Sequence, residues 1–334
     1  MVIINSFAVA VVLLFITMLC WGSWANTQKL ATKKWPFQLF YWDYVIGILI
    51  CALVLGFTLG SFGTAGRPFL EDLMQADQNT FFAAFLGGVI FNLANILLVA
   101  AIDIAGMAVA FPIGIGLALV LGVILNYIKY PIGDPMYLFV GVFLVVVAII
   151  LDAKAYKNID KSDGKVSSKG ILLSLVAGLL MGFFFRFVAD SISSDFSNPA
   201  PGKFTPYSAF FVFSIGILVS NFLWNSIVMA RPFKGEAVPY KDYIRLGNLK
   251  LHSIGWLGGI IWAIGMSFSL LASEQAGFAI SYGLGQGATM VAAIWGVFVW
   301  KEFKAADAKT NRLINFMFLF FIIGLVLIIY ARLK

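Results

Sequence analysis

Charged and chemically reactive side chains are scarce in this 334-residue chain. Only 12% of the residues are Asp, Glu, Lys or Arg, and the chain has one histidine and two cysteines. No group of Cys, His, Asp and Glu has the spacing of a metal site, and neither a G-x-S-x-G motif nor a G-x-x-x-x-G-K-[ST] phosphate loop occurs. These absences argue against an enzyme, a metal centre, another cofactor or a nucleotide-driven pump.

Hydrophobic residues, in contrast, make up 61% of the chain, well above the roughly 45 to 50% of a soluble domain. They form runs long enough to cross about 30 Å of hydrocarbon as helices. We therefore predict an all-α polytopic membrane protein in the lipid bilayer, with ten transmembrane helices near residues 6–25, 38–60, 80–101, 104–128, 135–154, 170–188, 207–230, 251–272, 276–300 and 311–331.

Positive charge is distributed unevenly between the predicted loops. The loops after the first, fifth, seventh and ninth helices contain 17 of the 23 Lys and Arg residues. By the positive-inside rule these loops are cytoplasmic, which places both termini outside the cell membrane. Membrane topology thus explains the net charge of +7, and nucleic acid is not expected as a partner.

The two halves of the chain resemble each other. The segment from Phe85 to Gly116 returns without a gap, 171 residues later, as Trp256 to Gly287. Five helices per half is an odd number, so the halves must have opposite orientations, which is the inverted-repeat arrangement of many secondary transporters. We predict a first five-helix repeat, a cytoplasmic connector and a second five-helix repeat at residues 1–155, 156–169 and 170–334.

Polar residues inside the apolar runs are the first candidates for function, because a charge at the bilayer centre costs about 2.5 to 3.5 kcal/mol. Asp43, in FYWDYVIG of helix 2, is either a carboxylate that couples protons or another cation to transport, or an interfacial acid in an aromatic belt. Asn92 and Asn95 are neighbours on one face of helix 3. Their amides either bind a neutral polar solute or join helices by hydrogen bonds.

Other candidate solute contacts have the same two interpretations. Asn221 and Trp224 lie in helix 7, and Gln286 interrupts the GLGQG sequence of helix 9. Trp21 and Trp24 close helix 1 on the cytoplasmic side, where they are either belt residues or a clamp that stacks on a planar ring.

Helix interruptions at matching positions of the two halves indicate a binding site near the bilayer midplane. Pro112 in AFPIGIG is expected to kink or break helix 4, and its counterpart in the second copy is Gly283. Gly114 and Gly285 follow them and complete the predicted hinge positions, although kinked helices also occur simply as packing features.

The differences between the copies indicate where a solute would bind. The scaffold repeats, but four equivalent positions differ in polarity or helix-breaking character: Asn92 and Ala263, Asn95 and Met266, Ile115 and Gln286, and Pro112 and Gly283.

Several polar residues fall near the predicted ends of helices. His252 is expected to form hydrogen bonds at the membrane interface, and Arg186 can pair with Asp190 one turn later. Asp103 and Glu274 occupy equivalent short turns, where we expect both outside, as caps of the following helices.

The chain also resembles a known family. CWGSWANTQKL, FYWDYVIG, the first repeat copy, ISYGLGQG and WGVFVWKEF together resemble the ureide permease family of the drug/metabolite transporter superfamily. The resemblance covers nearly all of the chain and implies two inverted five-helix repeats and proton-coupled uptake of allantoin, uracil and related heterocycles. It implies roles for Asp43, Asn92, Asn95 and Gln286, which match the family's patterns. Plant members have a long central loop with a phosphate-loop-like sequence, whereas this chain has the short KNIDKSDGKVSSKG and looks more like a compact bacterial form.

The sequence therefore predicts a secondary transporter, or permease, that takes up a small neutral polar solute by symport with protons or another cation. A sugar transporter for glucose, ribose or rhamnose is the runner-up, followed by drug or metabolite efflux. A non-transporting membrane receptor or scaffold is the alternative from a different class. Whether the protein forms a homodimer is left open.

Overall fold

The computed structural model describes residues 1–31, 35–159 and 167–334, apart from the side chains of Met107, Ala108 and Phe111. Within these ranges the regular elements are helices, with one isolated bridge between Ile192 and Phe204. In chain order the helices are α1 (Phe7–Ser23), α2 (Ala25–Ala31), α3 (Phe37–Phe57), α4 (Phe69–Gln75), α5 (Gln78–Ala105), α6 (Met107–Lys129), α7 (Pro135–Ile159), α8 (Ser168–Ser191), α9 (Pro206–Ala230), α10 (Lys241–Arg245), α11 (Leu249–Ala276), α12 (Phe278–Gly285), α13 (Ala288–Ile294), a π-helical turn (Trp295–Val299) and α14 (Ala308–Ala331).

Ten spans in the described part of the chain are long and apolar enough to cross a membrane. The first combines α1 and α2, and the ninth combines α12, α13 and the π-helical turn. Large apolar side chains such as Val12, Phe143, Phe222 and Val326 remain exposed on the outer faces of these helices, as expected where lipid replaces water. The predicted all-α fold with ten membrane helices is confirmed. Residues 160–166 of the predicted connector lie outside the described residues.

Two one-residue turns occupy equivalent places in the two sequence copies. Gly106 joins α5 to α6, and Gly277 joins α11 to α12. Their backbone angles nearly coincide, with φ 77° and ψ 162° at Gly106 and φ 85° and ψ 149° at Gly277. A residue with a Cβ is strained at such a positive φ, so each turn requires glycine.

Helices of opposite halves also approach each other at equivalent glycines. A Cβ on Gly88 of α5 would collide with the carbonyl oxygen of Phe213 in α9. A Cβ on Gly259 of α11 would collide with the carbonyl oxygen of Tyr44 in α3. The third span (α5) therefore packs on the seventh (α9) with the two backbones in contact. The eighth span (α11) packs on the second (α3) in the same way.

The other helix contacts also occur in matching sets in the two halves. Helix α5 packs on α8 and α9, and α11 packs on α1 and α3. Three further pairs, α3 with α9, α6 with α12 and α7 with α14, join equivalent spans of the two halves. Exchanging the halves reproduces these contacts, which is compatible with the predicted inverted repeat.

Successive spans alternate in direction, so the helix bundle has two ends. We call the end that contains residues 231–248 and 300–307 the basic end. We call the end that contains the N-terminus and residues 58–77 and 192–205 the opposite end. Two short connections, at Gly106 and Gly277, lie at the basic end and the opposite end, respectively.

The opposite end is closed by contacts between its two long loops. Asp72 is fully buried, and its carboxylate accepts hydrogen bonds from Arg67 Nε at 2.9 Å and from the amide and hydroxyl of Thr205 at 2.8 and 2.9 Å. Arg67 also donates to the carbonyl oxygens of Ala200 and Lys203 at 3.2 and 3.0 Å. A charged pair with these additional hydrogen bonds holds the loops together.

Candidate functional site

A cavity of about 310 Å³ lies between the two halves of the molecule, at the small end of the range for small-molecule sites. It extends from the middle of the spans toward the basic end, where Ala25 is exposed. No described lining residue is charged: the lining consists of Trp21, Gly22, Trp24, Ala25, Gln28, Phe91, Asn95, Leu98, Val99, Ile102, Ile115, Met181, Phe184, Trp262, Gln286, Ala288, Thr289 and Ala292.

Aromatic rings form much of the cavity wall. Trp21 stacks on Trp262 with ring centroids 6.0 Å apart and an angle of 14°, and its indole N–H donates to the Trp262 carbonyl at 3.3 Å. Phe91 packs against Trp262 at 4.4 Å, while Trp24 packs against Tyr44 at 4.7 Å. These rings are held by one another, and the four that line the cavity, Trp21, Trp24, Phe91 and Trp262, provide flat apolar surfaces on which a planar solute can stack.

The ninth span is broken beside this wall. Helix α12 ends at Gly285 and α13 begins at Ala288, which leaves Gln286 and Gly287 between them. A Cβ on Gly285 would come 2.7 Å from the Trp21 ring, so glycine at this position lets α1 pack closely against the break.

Gln286 lines the cavity at this break and is 8% exposed. Its main chain is hydrogen-bonded, since its N–H donates to the Tyr282 carbonyl at 3.1 Å and its carbonyl accepts from Thr289 Oγ1 at 2.9 Å. Its side-chain amide has no hydrogen-bond partner among the described residues. This amide can therefore donate to a solute, accept from it, or both.

The two asparagines of α5 occupy different positions relative to the cavity. Asn95 lines it, and its Nδ2 donates to the Tyr41 hydroxyl at 3.1 Å. Asn92 lies behind the wall, where its Oδ1 accepts from the Tyr41 hydroxyl at 3.0 Å and its Nδ2 donates to the Ile217 carbonyl and Ser220 Oγ at 3.2 and 3.0 Å. The structure thus places one predicted contact at the cavity and the other in its support.

Asn221 and Trp224 lie outside the cavity lining. Asn221 is fully buried in α9, and neither atom of its amide group has a hydrogen-bond partner within the described residues. The Trp224 indole N–H is likewise buried and unpaired there. Their predicted solute contact stays a prediction, with no geometry that brings them to the cavity.

The break predicted in helix 4 at Pro112 is wrong, because helix α6 continues through this proline, its sixth residue. The kink predicted there stays a prediction. Gly283 lies inside α12, and the break follows three residues later. Gly114 lies close to α8, where its carbonyl would meet a Cβ on Gly178, and Gly285 ends α12. Hinge motion at these positions stays a prediction.

Asp43 is fully buried near the basic end, outside the cavity lining. Its Oδ2 accepts from Trp35 Nε1 at 3.0 Å, while Oδ1 lies 2.9 Å from His252 Nδ1 and accepts from the Tyr243 hydroxyl. Burial raises the pKa of Tyr243, which lies outside the spans, so this hydroxyl stays protonated and can donate. Asp43 of α3 therefore contacts α10 through Tyr243 and α11 through His252.

A second polar cluster lies at the basic end, around Glu302. Glu302 pairs with Lys29 of α2 at 2.7 Å and accepts from the Tyr156 hydroxyl of α7 at 2.8 Å. The Lys29 ammonium also lies 4.2 Å from the ring centre of Trp300. These contacts connect the first, fifth and ninth spans at the basic end.

The predicted ion pair between Arg186 and Asp190 is present at 3.0 Å, at the opposite end. Tyr130 also donates to Asp190 at 2.9 Å, and burial together with the nearby carboxylate raises the pKa of this tyrosine. The expectation for Asp103 and Glu274 is wrong. Asp103 lies at the basic end with Lys234, and Glu274 lies at the opposite end, where it accepts from the Phe196 amide instead of capping a helix. Five spans, an odd number, lie between the turns at Gly106 and Gly277, so the two turns lie at opposite ends of the bundle.

A larger hollow of about 520 Å³ lies on the outer surface between α5 and α9. It is lined mainly by apolar side chains, among them Phe81, Phe82, Phe85 and Phe211. The cavity between the halves is the candidate site, because its lining also includes the polar side chains of Asn95, Gln286 and Thr289.

Comparison with known proteins agrees with this architecture. The ureide permease family model matches residues 40–169 and 156–331. The chain belongs to the ureide permease family. It is 23% identical to Ureide permease 1 of Arabidopsis thaliana, over 97% of each chain. It is 25% identical to the Glucose uptake protein GlcU of Bacillus subtilis, over 86% of this chain and 84% of that protein.

A solved crystal structure has the same fold, with a TM-score of 0.63 at 13% identity over 98% of this chain and 99% of that chain. As a ureide permease with ten apolar spans, the protein is a multi-pass membrane transporter and not an enzyme. The family resemblance seen in the sequence motifs is confirmed.

Several residues of the site have no assigned role in the sequence interpretation: Trp262, Phe91, Tyr41, Thr289 and Gln28. The sequence repeat indicates a role for Trp262 and Phe91, because these two residues occupy equivalent positions of the two copies. Ile115 and Gln286 are also equivalent. Both pairs line the cavity. Equivalent positions of two inverted copies can meet only where the halves face each other, so shared aromatic pairs indicate the interface.

Proposed function

We propose that this ureide permease takes up a ureide or nucleobase of the allantoin or uracil type, as a proton-coupled secondary active transporter. The observation that carries the proposal is the cavity between the halves, whose walls are aromatic and whose described side chains are uncharged. Such a site favours a neutral, flat and polar solute over an ion.

The polar groups of the cavity match this solute class. Amide side chains donate and accept hydrogen bonds, as do the urea and imide groups of allantoin and uracil. The rings of Trp21, Trp24 and Trp262 offer stacking surfaces, and stacking on a base-like ring is worth about 1 to 3 kcal/mol. The name of Ureide permease 1, which aligns along nearly the whole chain, supports the same class.

Sugar uptake is the second candidate. The Glucose uptake protein of Bacillus subtilis and a Putative sugar uptake protein of Lactococcus lactis are similar over 84% or more of this chain. Aromatic and amide side chains also bind the faces and hydroxyl groups of sugars. A hexose, however, offers hydroxyl groups all around its ring, whereas the polar side chains that line this cavity are few.

We assign the coupling role to Asp43. This acid is buried near the basic end, and its Oδ1 lies 2.9 Å from His252 Nδ1. Tyr44, the next residue, packs on Trp24 of the cavity wall, so a change at Asp43 can reach the site through α3. Protonation of the acid would then be linked to the state of the cavity.

We place the protein in the cell membrane with both termini outside, because the positive-inside rule makes the basic end cytoplasmic. In this orientation the cavity faces inward and the closed loop contacts at Asp72 face outward. The structure then corresponds to a state from which solute is released into the cell.

The proposal is tested with purified protein in sealed vesicles supplied with labelled uracil, allantoin or glucose. Uracil or allantoin is expected to accumulate when a proton gradient directed into the vesicle is imposed, and a proton ionophore should abolish the accumulation. Accumulation of glucose without either heterocycle would replace the proposal with sugar uptake. Entry of solute only up to equal concentrations on both sides of the vesicle membrane would contradict coupling to protons.

A further inference from the structure

A chain of hydrogen bonds connects the cavity wall to the main chain of α9. It begins at the carbonyl oxygen of Ile217, which accepts from Asn92 Nδ2 at 3.2 Å. Asn92 Oδ1 accepts from the Tyr41 hydroxyl at 3.0 Å, and the Tyr41 oxygen accepts from Asn95 Nδ2 at 3.1 Å. We call this series, from Ile217 through Asn92 and Tyr41 to Asn95, the amide relay.

The direction of the amide relay is fixed at its start. A main-chain carbonyl can only accept, so Asn92 must turn its NH₂ group toward Ile217 and its oxygen toward Tyr41. Ser220 enforces the same orientation, because its hydroxyl donates to the Ile217 carbonyl at 3.1 Å and accepts from Asn92 Nδ2 at 3.0 Å.

The constraint passes through Tyr41 to the cavity. A tyrosine hydroxyl has one proton, and Tyr41 gives that proton to Asn92 Oδ1. Its oxygen can then only accept from Asn95, which turns Asn95 Nδ2 toward Tyr41. Asn95 Oδ1 has no donor among the described residues, and it is the atom left to accept from a solute.

Burial makes this orientation costly to change. Asn92 and Tyr41 are fully buried, and Asn95 and Ser220 are 5% and 6% exposed. A flipped Asn95 amide would point its oxygen at the oxygen of Tyr41 and would leave buried groups unpaired, which is unfavourable. Gln286 differs, because its unpaired side chain can turn either its donor or its acceptor toward the cavity.

We propose that Tyr41 is a positioning residue that fixes a hydrogen-bond acceptor at Asn95 and so selects solutes with an N–H or O–H donor at that point. This inference rests on the proposed function, since it assigns solute specificity to the same cavity. It adds a residue outside the cavity lining that decides which face of the Asn95 amide the solute meets.

The first test needs no solute. The Tyr41→Phe variant removes the hydroxyl, and Tyr44→Phe is the matched control, because Tyr44 is also fully buried and its hydroxyl has no partner within the described residues. With asparagine labelled in its side-chain amide, Tyr41→Phe should shift the NMR signals of Asn92 and Asn95. Tyr44→Phe should leave both in place, and unshifted signals in Tyr41→Phe would overturn the amide relay.

The second test measures specificity with uracil, 1-methyluracil and 3-methyluracil, since each methyl group removes one N–H donor. The wild type should bind uracil about tenfold more tightly than one methylated analogue, as expected for one hydrogen bond. Tyr41→Phe should largely lose this ratio while Tyr44→Phe keeps it. An unchanged ratio in Tyr41→Phe would overturn the positioning role.

Asn92→Ala provides a second variant should Tyr41→Phe fail to fold. It keeps the Tyr41 hydroxyl but frees its proton, so Asn95 can take either orientation and the uracil ratio should fall in the same way. A retained ratio would contradict the inference. Failure of the wild type to bind uracil would instead contradict the proposed function, while the NMR measurement still decides the amide relay.

Discussion

Gln286 and Asn95 offer a solute two different kinds of amide. Asn95 is held by Tyr41 at 3.1 Å, whereas the Gln286 side chain has no partner among the described residues. A ligand gains most from a group that is already oriented, and a free group pays an ordering cost when it binds. We therefore assign selectivity to Asn95 and adaptable binding to Gln286.

The Gln286→Ala variant should weaken solute binding about tenfold, because it removes one neutral hydrogen bond. Folding should change little, since the lost side-chain amide makes no hydrogen bond with the described residues. Isothermal titration and thermal unfolding of the purified protein separate the two effects. Gln78→Ala, at an exposed position where α5 begins, is the control. Unchanged affinity for every solute that the wild type binds would remove Gln286 from the site.

The Asp43→Asn variant should no longer accumulate solute against the solute's concentration gradient. The amide cannot lose or gain a proton at physiological pH, although it keeps the size of the buried carboxyl group. Solute exchange across the vesicle membrane without a gradient should persist, and this exchange is the control for folding and insertion. Normal pH-driven accumulation by the variant would assign Asp43 to structure alone, as the centre of its contacts with Trp35, Tyr243 and His252.

At the scale of the helices, one-residue turns hold the third and fourth spans, and the eighth and ninth, in place. Gly106 has a positive φ, yet among the described residues beyond its two chain neighbours no atom lies within 4 Å of a Cβ built on it. Gly116 in α6 has equally open surroundings and no positive φ. The two positions therefore separate backbone strain from steric crowding.

Gly106→Ala should destabilise the protein by about 1 to 2 kcal/mol, because the added Cβ is strained at this φ. Gly116→Ala should have the opposite sign and stabilise by up to about 1 kcal/mol, since alanine favours a helix. Thermal unfolding in detergent compares the two variants. A loss of stability in both would show that hidden crowding, and not the turn geometry, determines the effect.

The helices and their number could be predicted from apolar runs, and the pairing of spans from the repeat of Gly88 and Gly259. The position of the helix break could not. Pro112 suggested a break in a helix that is continuous, whereas the break in the ninth span lies at Gln286 and Gly287, beside the closely packed α1. Tyr41 was missed because its hydrogen-bond partners are distant in the sequence. Asn92 and Asn95 lie in α5, 51 and 54 residues away in the chain.

At the scale of the whole molecule, helices of the two sequence copies enclose a cavity whose polar groups are not repeated. Phe91 and Trp262, at equivalent sequence positions, are both aromatic, while Ile115 and Gln286, also equivalent, differ in polarity, and all four line the cavity. The opposite end is closed by the buried contacts of Asp72, and the cavity extends toward the basic end. Alternating access then requires the Asp72 contacts at the opposite end to open and the cavity to close toward the basic end.

The central claim is that the solute binds in the cavity between the halves. A variant with Cys20→Ala and Cys51→Ala, and with Ala292→Cys in the cavity lining, reports on it through the rate of labelling by a small thiol reagent. Glu236→Cys, in an exposed loop of the basic end, is the control. We predict that saturating uracil or allantoin slows labelling at position 292 several-fold and leaves position 236 unchanged. Labelling at position 292 that is equally fast with and without a solute that the protein transports would contradict the claim.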